Sequence, residues 1–322
     1  MQVYIYRHLL NLKSIDDFNR KSALQYNIHQ HLEYLNDFIE LFKGIETDNP
    51  NDADYFFIPL FILAFQFANH DPLYLINSCN YLNSGRHLIL STGDFGQRKR
   101  SNTELNIPGR AYSDIYDWLD DRFIILALES TIDLLHQDQA FLPYITKDLP
   151  NKDSLSKRFL INFAGQVKYP LLPASHIRGE TFNNSVQGKF SGNPIGSLHE
   201  LNNKFNVIND YSFYMRNSLF TLCPAGYGRW TFRFIEALCH GSIPILISDG
   251  YVLPFSHIIN WDDYLYIVQE NDMPNIEYII HDLNIGNVYS KLNAIYDNNH
   301  FFNKFNVLEM TIKTLNSKVI DL

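Results

Sequence analysis

Short apolar runs that alternate with amphipathic segments constrain the fold of this 322-residue chain more than any other feature. Strand-like runs lie at residues 3–5, 55–63, 87–90 and 123–128, with helix-like segments at 24–42 and about 72–82. Strands without polar alternation that are separated by helices are typical of a mostly parallel sheet covered on both faces. The first half of the chain therefore predicts an α/β unit.

A polar segment at residues 147–158, which contains Pro150 and few apolar residues, separates this pattern from a second one. After it, apolar runs follow at 159–163, 219–223, 243–247 and 264–268, with a helix at 232–240. The length also suits two domains of about 150 residues each. We predict two doubly wound α/β domains, over 1–152 and 153–300. Such sheets bind ligands outside the carboxyl ends of their strands, so the loops there should carry the chemistry.

The composition excludes several classes of protein. A net charge of −9 argues against nucleic-acid binding, which normally shows a basic excess. The three cysteines, Cys79, Cys223 and Cys239, have neither the number of a disulfide framework nor metal-ligand spacing. The N-terminus shows no secretion signal, and the apolar run from residue 56 is too short to span a bilayer. We therefore expect a cytoplasmic protein without a metal, for which peripheral contact with a membrane stays open.

One segment, residues 219–250, combines a strand, a glycine-containing loop, a helix and a second strand. The loop holds Gly226 and Gly228, and glycines let backbone N–H groups approach an anion closely. The helix N-terminus that follows adds free N–H groups and a favourable dipole, and Arg229 adds a positive charge. This combination predicts a phosphate-binding site.

The helix at 232–240 has two distinct faces. On a helical projection, one arc of about 160° holds the apolar side chains of Phe232, Phe234, Ile235, Leu238 and Cys239. Arg233, Glu236 and His240 share a narrow arc on the other side, where Arg233 and Glu236 are neighbours. Ser248 and Asp249 follow the next strand, at the expected ligand edge. A nucleotide sugar requires such groups, an arginine for its diphosphate and a carboxylate for its ribose hydroxyls.

Each of these features alone has an ordinary explanation, because an Arg–Glu pair on a helix is commonly solvated and a Gly-x-Gly loop is a weak motif. Their placement together on one β-α-β unit favours a nucleotide-sugar site. A dehydrogenase or epimerase on a Rossmann scaffold is disfavoured, because no Gly-x-Gly-x-x-Gly follows the opening strand.

The segments SLFTLCPAGYGRWTFRFIEAL and GSIPILISDGYVLPF closely resemble the exostosin family of inverting glycosyltransferases. Three other segments are also similar to that family: DADYFFIPLF at 52–61, SGRHLILSTGDFG at 84–96 and RFLINFAG at 158–165. The family includes heparan sulfate polymerase domains of animals and xylan, xyloglucan and pectin transferases of plants. The resemblance extends over about residues 1–275, with the segments in the same order.

This resemblance implies a GT-B architecture, in which two Rossmann-like domains face a central cleft. The acceptor would bind mostly to the N-terminal domain and the donor mostly to the C-terminal domain, with a last helix at 301–322 packing back towards the first domain. It also implies inverting transfer from a UDP-sugar to an oligosaccharide or lipid-linked glycan, with no metal or other cofactor required. Cell-surface or capsular polysaccharide synthesis and association with a polymerase complex fit the family's range.

The resemblance also assigns roles to individual residues. Arg233 matches an arginine that would contact the diphosphate, and Glu236 matches a glutamate that would contact the ribose or the donor sugar. Further donor-site candidates are Gly226, Arg229, Ser248, Asp249 and Arg178. The segment at 186–209 has a pattern of its own that does not match the family. Arg86, which precedes His87, also departs from the family pattern, and it leaves the acceptor chemistry open.

An inverting transfer requires a base for the acceptor proton and positive charge for the leaving diphosphate. Arg233 supplies the charge. Asp94, in the loop TGDFG, is the first candidate for the base, with His87 and His8 as alternatives at the ends of first-domain strands. An ordinary structural role for each of the three is the competing interpretation. Without a base the chain would be a catalytically silent glycan- or partner-binding subunit of a polymerase complex, which is our second hypothesis.

Overall fold

The computed structural model of the protein divides into two compact units, Met1–Phe141 with Leu308–Leu322, and Leu142–Val307. The residues that the structure describes are 1–26, 28–68, 70–84, 86–92, 122–128, 139–140, 157–163, 207–225, 231–298 and 302–320. The predicted junction between residues 152 and 153 lies outside these ranges, and the predicted domain limits stay a prediction.

The first unit contains a five-stranded parallel sheet in which the strands follow their order in the chain. The strands are β1 (Val3–Ile5), β2 (Tyr55–Phe57), β3 (His87–Ser91), β4 (Phe123–Ala127) and β5 (Gln139–Ala140). The helices are α1 (Arg7–Leu10), α2 (Lys13–Tyr26), α3 (His29–Lys43), α4 (Ile62–Ala68) and α5 (Leu73–Ile76), with 3-10 turns at Pro50–Asp52 and Leu82–Ser84. Strands β2, β3 and β4 are buried along their whole length, as expected for strands covered on both faces.

The second unit contains a four-stranded parallel sheet, also in chain order. Its strands are β6 (Phe159–Asn162), β7 (Ser218–Pro224), β8 (Ile243–Ile247) and β9 (Tyr266–Val268). Its helices are α6 (Val207–Asn217), α7 (Phe232–Cys239), α8 (Ile276–His281) and α9 (Ile285–Asn298), with 3-10 turns at Trp261–Asp263 and Glu270–Asn275. The last helix, α10 (Lys304–Ile320), begins in this unit and belongs to the first unit from Leu308 onwards. The predicted α/β class with parallel sheets is confirmed.

Two helices predicted for the first unit are present, but their predicted limits are wrong. The apolar spacing from Leu24 to Phe42 predicts one helix, but α2 ends at Tyr26 and α3 begins at His29. Leu24 belongs to α2 and is 74% exposed, so it does not continue the apolar face of α3 even though its spacing fits. The helix predicted at about 72–82 is reduced to α5 and a separate 3-10 turn.

The apolar run at 55–63 also folds differently from the predicted strand. Strand β2 ends at Phe57, and helix α4 begins at Ile62. Pro59 lies between them, and a proline cannot donate to a strand ladder, which explains why the strand stops early. All residues from Tyr55 to Phe65 are nevertheless buried, so the apolar run serves the core as a strand followed by a helix.

The last helix, α10, contacts the first sheet. The Tyr55 hydroxyl, on β2, donates to the carbonyl of Leu315 at 3.0 Å, and both groups are buried. No helix in the described ranges is both long and apolar enough to cross a membrane.

Candidate functional site

Helix α7 presents the two charged side chains that the sequence singles out. Thr231 adopts an extended backbone, and its side-chain oxygen accepts a hydrogen bond from the backbone N–H of Arg233 at 3.3 Å, which caps the helix. The helix stops at Cys239, and Gly241 follows with a φ of 69°, a conformation that favours glycine.

Four of the five side chains on the predicted apolar face of α7 are buried, Phe234, Ile235, Leu238 and Cys239, and the fifth, Phe232, is partly exposed. Arg233 and Glu236 remain partly exposed. His240, predicted on the polar face, is instead buried, with its Nδ1 2.7 Å from the carbonyl oxygen of Glu236. The helix therefore packs on one side and leaves only the Arg–Glu pair of its polar arc at the surface.

Arg233 lies at the carboxyl edge of the second sheet. Its Cζ atom is 5.0 Å from the centroid of the Phe163 ring, and Phe163 is the buried residue that directly follows β6. A guanidinium over an aromatic ring is attracted by about 0.5–2 kcal/mol. Ligands of parallel sheets bind at this edge, so the contact holds a positive charge at the edge where a ligand is expected.

The thiol of Cys223, near the end of β7, lies close enough to both charged side chains to be affected by their charges. Burial raises the pKa of its thiol, the charge of Arg233 lowers that pKa, and the charge of Glu236 raises it. Arg233 and Glu236 therefore lie near the end of β7 as well as on α7. The structure brings the predicted pair together at the predicted sheet edge.

A buried polar network lies beneath this edge. The Asn162 side-chain amide, at the end of β6, donates to the carbonyl of Phe220 at 3.1 Å and to the Thr221 hydroxyl at 2.8 Å. The Thr221 hydroxyl is in turn 2.7 Å from the hydroxyl of Ser242, which precedes β8. The network ties three neighbouring strands together next to Phe163, and buried polar groups so paired rigidify their surroundings.

The loops after β8 and β9 are joined by a reciprocal pair of hydrogen bonds. The N–H of Asp249 donates to Glu270 Oε1 at 3.1 Å, and the N–H of Glu270 donates to Asp249 Oδ1 at 2.9 Å. Ser248 is buried beside this pair, and Gly250 completes the turn with a φ of 68°. The donor-site roles predicted for Ser248 and Asp249 stay predictions, and the geometry gives Asp249 a structural task at the same edge.

The predicted position of His87 is wrong. His87 is the first residue of β3, so it lies at the amino end of the strand and not at the ligand edge. Its ring is fully buried, stacks on Phe56 with 5.1 Å between centroids, and has its Nε2 2.9 Å from the Tyr6 hydroxyl. Burial lowers the pKa of His87 to about 4. A buried ring does not reach an acceptor hydroxyl, so we do not retain His87 as a base.

His8 lies in α1, directly after β1, and so at the carboxyl edge of the first sheet. The side chain is exposed, with Nε2 2.9 Å from the Ser78 hydroxyl. Asp94, Arg178, Gly226 and Arg229 lie outside the described residues, and their roles stay predictions. Among the residues that the structure describes, no group of three His, Cys, Asp or Glu side chains could hold a metal ion.

The fold and the site together define an α/β protein with an arginine held at the ligand edge of a parallel sheet, beside a carboxylate on the same helix. Residues 1–283 match the model of the exostosin GT47 domain, so the chain belongs to the exostosin GT47 family.

Several plant proteins are similar to parts of the chain. A probable glycosyltransferase of Arabidopsis thaliana is 36% identical over 126 residues, which are 39% of this chain and 22% of that protein. A probable glucuronosyltransferase of Oryza sativa subsp. japonica is 36% identical over 100 residues, 30% of this chain and 22% of that protein. A probable beta-1,4-xylosyltransferase of Arabidopsis thaliana is 24% identical over 275 residues, 77% of this chain and 63% of that protein. The chain thus spans less than a quarter of the first two relatives.

Two solved structures show a limited similarity to the chain. The GtfA/B complex has a TM-score of 0.35 at 11% identity, covering 59% of this chain and 42% of that chain. A T4 phage BGT mutant in complex with UDP-glucose has a TM-score of 0.33 at 13% identity, covering 84% of each chain. At these TM-scores, neither likeness assigns a ligand to this protein.

Proposed function

We propose that the protein is an inverting glycosyltransferase that moves a sugar from a UDP-sugar to a hydroxyl of a glycan acceptor. The observation that carries this proposal is the guanidinium of Arg233, held over Phe163 at the carboxyl edge of the second sheet with Glu236 beside it. Membership of the exostosin GT47 family supports it, as do the glucuronosyl- and xylosyltransferase names of plant relatives.

In this mechanism the acceptor oxygen attacks the anomeric carbon from the face opposite the diphosphate. The bond from that carbon to the phosphate oxygen breaks, UDP leaves with the electron pair, and a base takes the acceptor proton. Arg233 stabilises the charge that develops on the leaving diphosphate, and such electrostatic stabilisation acts most strongly in the transition state. Glu236 binds hydroxyls of the ribose or the donor sugar. Asp94 is our first candidate for the base and His8 the second.

The names of the relatives favour glucuronic acid or xylose as the transferred sugar, and an oligosaccharide or lipid-linked glycan as the acceptor. None of the three cysteines forms a disulfide and all three are buried, which suits the reducing conditions of the cytoplasm. We propose synthesis of a cell-surface or capsular polysaccharide as the setting, with peripheral association with the membrane or a polymerase complex. The transfer needs no metal or other cofactor in this scheme.

The test compares Arg233→Ala with the parent protein in transfer assays with UDP-glucuronic acid, UDP-xylose, UDP-galactose and UDP-glucose. Loss of one stabilising group at a reacting centre lowers kcat by about 10²- to 10³-fold, and we expect that range here. Arg216→Ala is the matched control, because Arg216 is an exposed arginine of the same unit, on α6. Near-parental turnover in Arg233→Ala would overturn the role of Arg233. If the parent binds UDP but transfers none of these sugars, the silent-subunit hypothesis replaces this one.

A further inference from the structure

A cavity of about 410 Å³ lies within the second unit, away from the Arg–Glu pair of α7. Its walls are the turn Trp261–Asp263, the start of β9 and one face of α9. Tyr266, which lines the cavity, is the first residue of β9, so the cavity opens at the amino edge of the sheet. Arg233 lies at the carboxyl edge, and the two sites are therefore distinct.

Helix α9 gives the cavity a polar face that is separate from its core face. On a helical projection the cavity side chains fall within an arc of about 100°, and they are Asn287, Ser290, Lys291, Ala294 and Asn298. The neighbouring arc faces the core through Val288, Leu292 and Ile295. The core packing of α9 therefore fixes which side chains line the cavity.

Lys291 is held in place at the cavity wall. Its ammonium group donates to the backbone carbonyl of Asp262 and lies 4.6 Å from the centroid of the Tyr266 ring. Burial lowers the pKa of Lys291, and the carboxylates of Asp262 and Asp263 oppose that shift. The Asp263 carboxylate in turn accepts from the Asn260 amide at 3.0 Å. These contacts arrange the polar groups before any ligand arrives.

The lining has a chemistry that selects among ligands. Among the lining residues, two carboxylates accept hydrogen bonds, two carboxamides and three hydroxyls both donate and accept, and one ammonium group donates. The charged groups sum to one net negative charge, which disfavours anionic ligands such as nucleotides and uronic acids. A volume within the range of about 300–1,000 Å³ suits a small ligand, and the many polar groups suit one with several hydroxyls.

We propose that this cavity is a second saccharide-binding site, which takes a neutral sugar unit of a glycan chain. The binding itself is inferred from the lining alone. Its use, to hold a part of the acceptor or product chain remote from the transfer site, rests on the proposed function.

The test measures binding of cellotriose, xylotriose and glucuronic acid to the full chain by calorimetry and saturation-transfer NMR, with UDP present in excess. Ala294→Trp fills the cavity from α9. Asn293→Trp, on the exposed arc of the same helix, is the matched control. We expect the parent to bind a neutral trisaccharide, Ala294→Trp to weaken that binding at least tenfold, and Asn293→Trp to leave it unchanged.

Three results would overturn the site: no binding of either neutral trisaccharide by the parent, equal binding by Ala294→Trp, or preference for glucuronic acid. Circular dichroism of both tryptophan variants checks that the fold is kept. UDP affinity should be the same in Ala294→Trp and the parent, because that variant lies at the other edge of the sheet. If the parent does not transfer sugar from any UDP-sugar, the proposed function is contradicted, but the binding experiments on the cavity can still be interpreted.

Discussion

At the scale of single residues, the Arg233 guanidinium lies over the ring of Phe163. Phe163→Leu removes the ring but keeps an apolar side chain, so we expect a loss of about 0.5–2 kcal/mol of positioning energy, or about two- to thirtyfold in kcat/KM. The control is Phe213→Leu, since Arg158 lies over the Phe213 ring at 6.0 Å and directly precedes β6, at the amino edge of the second sheet. Equal activities in the two variants would show that the contact has no functional role.

A second residue-scale prediction concerns His87, whose pKa is lowered to about 4 by burial. The folded state keeps His87 neutral, while the unfolded chain protonates it below pH of about 6.5. The contribution of His87 to the free energy of unfolding is therefore fully present above that pH, and it decreases as the pH falls towards 4.

Urea unfolding at pH 7 and pH 4.5 measures this effect. We expect the parent to lose about 2–3 kcal/mol more than His87→Gln over this interval. The control His29→Gln, at an exposed position, should keep the acid sensitivity of the parent. An equal loss in the parent and His87→Gln would contradict the buried, neutral state of His87.

The sequence could predict Arg233 and Glu236, because residues three apart on one helix are neighbours whatever the tertiary structure. It could not predict the partners that depend on strand register. Asn162 meets Thr221 because β6 and β7 pair in one particular register, and Asp249 meets Glu270 because β8 and β9 end together. The one sequence signal for these contacts is a polar residue within or directly after an apolar run.

At the scale of elements, the limits of α7 come from its own flanking residues. Thr231 caps the first turn, and Thr231→Ala removes the acceptor for the Arg233 N–H. We expect a loss of about 1 kcal/mol in the free energy of unfolding. Thr231→Ser keeps the oxygen and should restore most of it in chemical denaturation. Similar stabilities of the alanine and serine variants would show that the cap contributes little.

The same reasoning explains why α7 and β8 are predicted well and the first-unit helices are not. Helix α7 has a capping threonine and a glycine stop, and β8 is an unbroken apolar run between polar turns. The junction between α2 and α3 has no comparable signal, because the apolar spacing continues across it. Local sequence patterns therefore predict the limits of elements whose ends carry capping or turn residues, whereas tertiary packing sets the limits of the other elements.

At the scale of the whole molecule, the alternation of strands and helices predicts two parallel sheets, and both are found. The same alternation does not predict that the last helix belongs to the first unit. Residues 308–322 group with residues 1–141, and no local pattern could indicate such a distant partner. Only the family resemblance implies it.

The contact between Tyr55 and Leu315 joins groups 260 residues apart in the chain. Leu315 is completely buried, and Met310 nearly so, although both lie in the last helix. The end of the chain thus packs against the first sheet, and the stability of the first unit should depend on α10.

Leu315→Ala should cost about 2–5 kcal/mol in thermal or urea unfolding of the first unit. Tyr55→Phe, which removes only the hydrogen bond, should cost about 0.5–1.5 kcal/mol. Tyr74→Phe, at an exposed tyrosine, should cost nothing. If Leu315→Ala were as stable as the parent, α10 would lie against the first unit without supporting it, and residues 1–141 would be expected to fold without it.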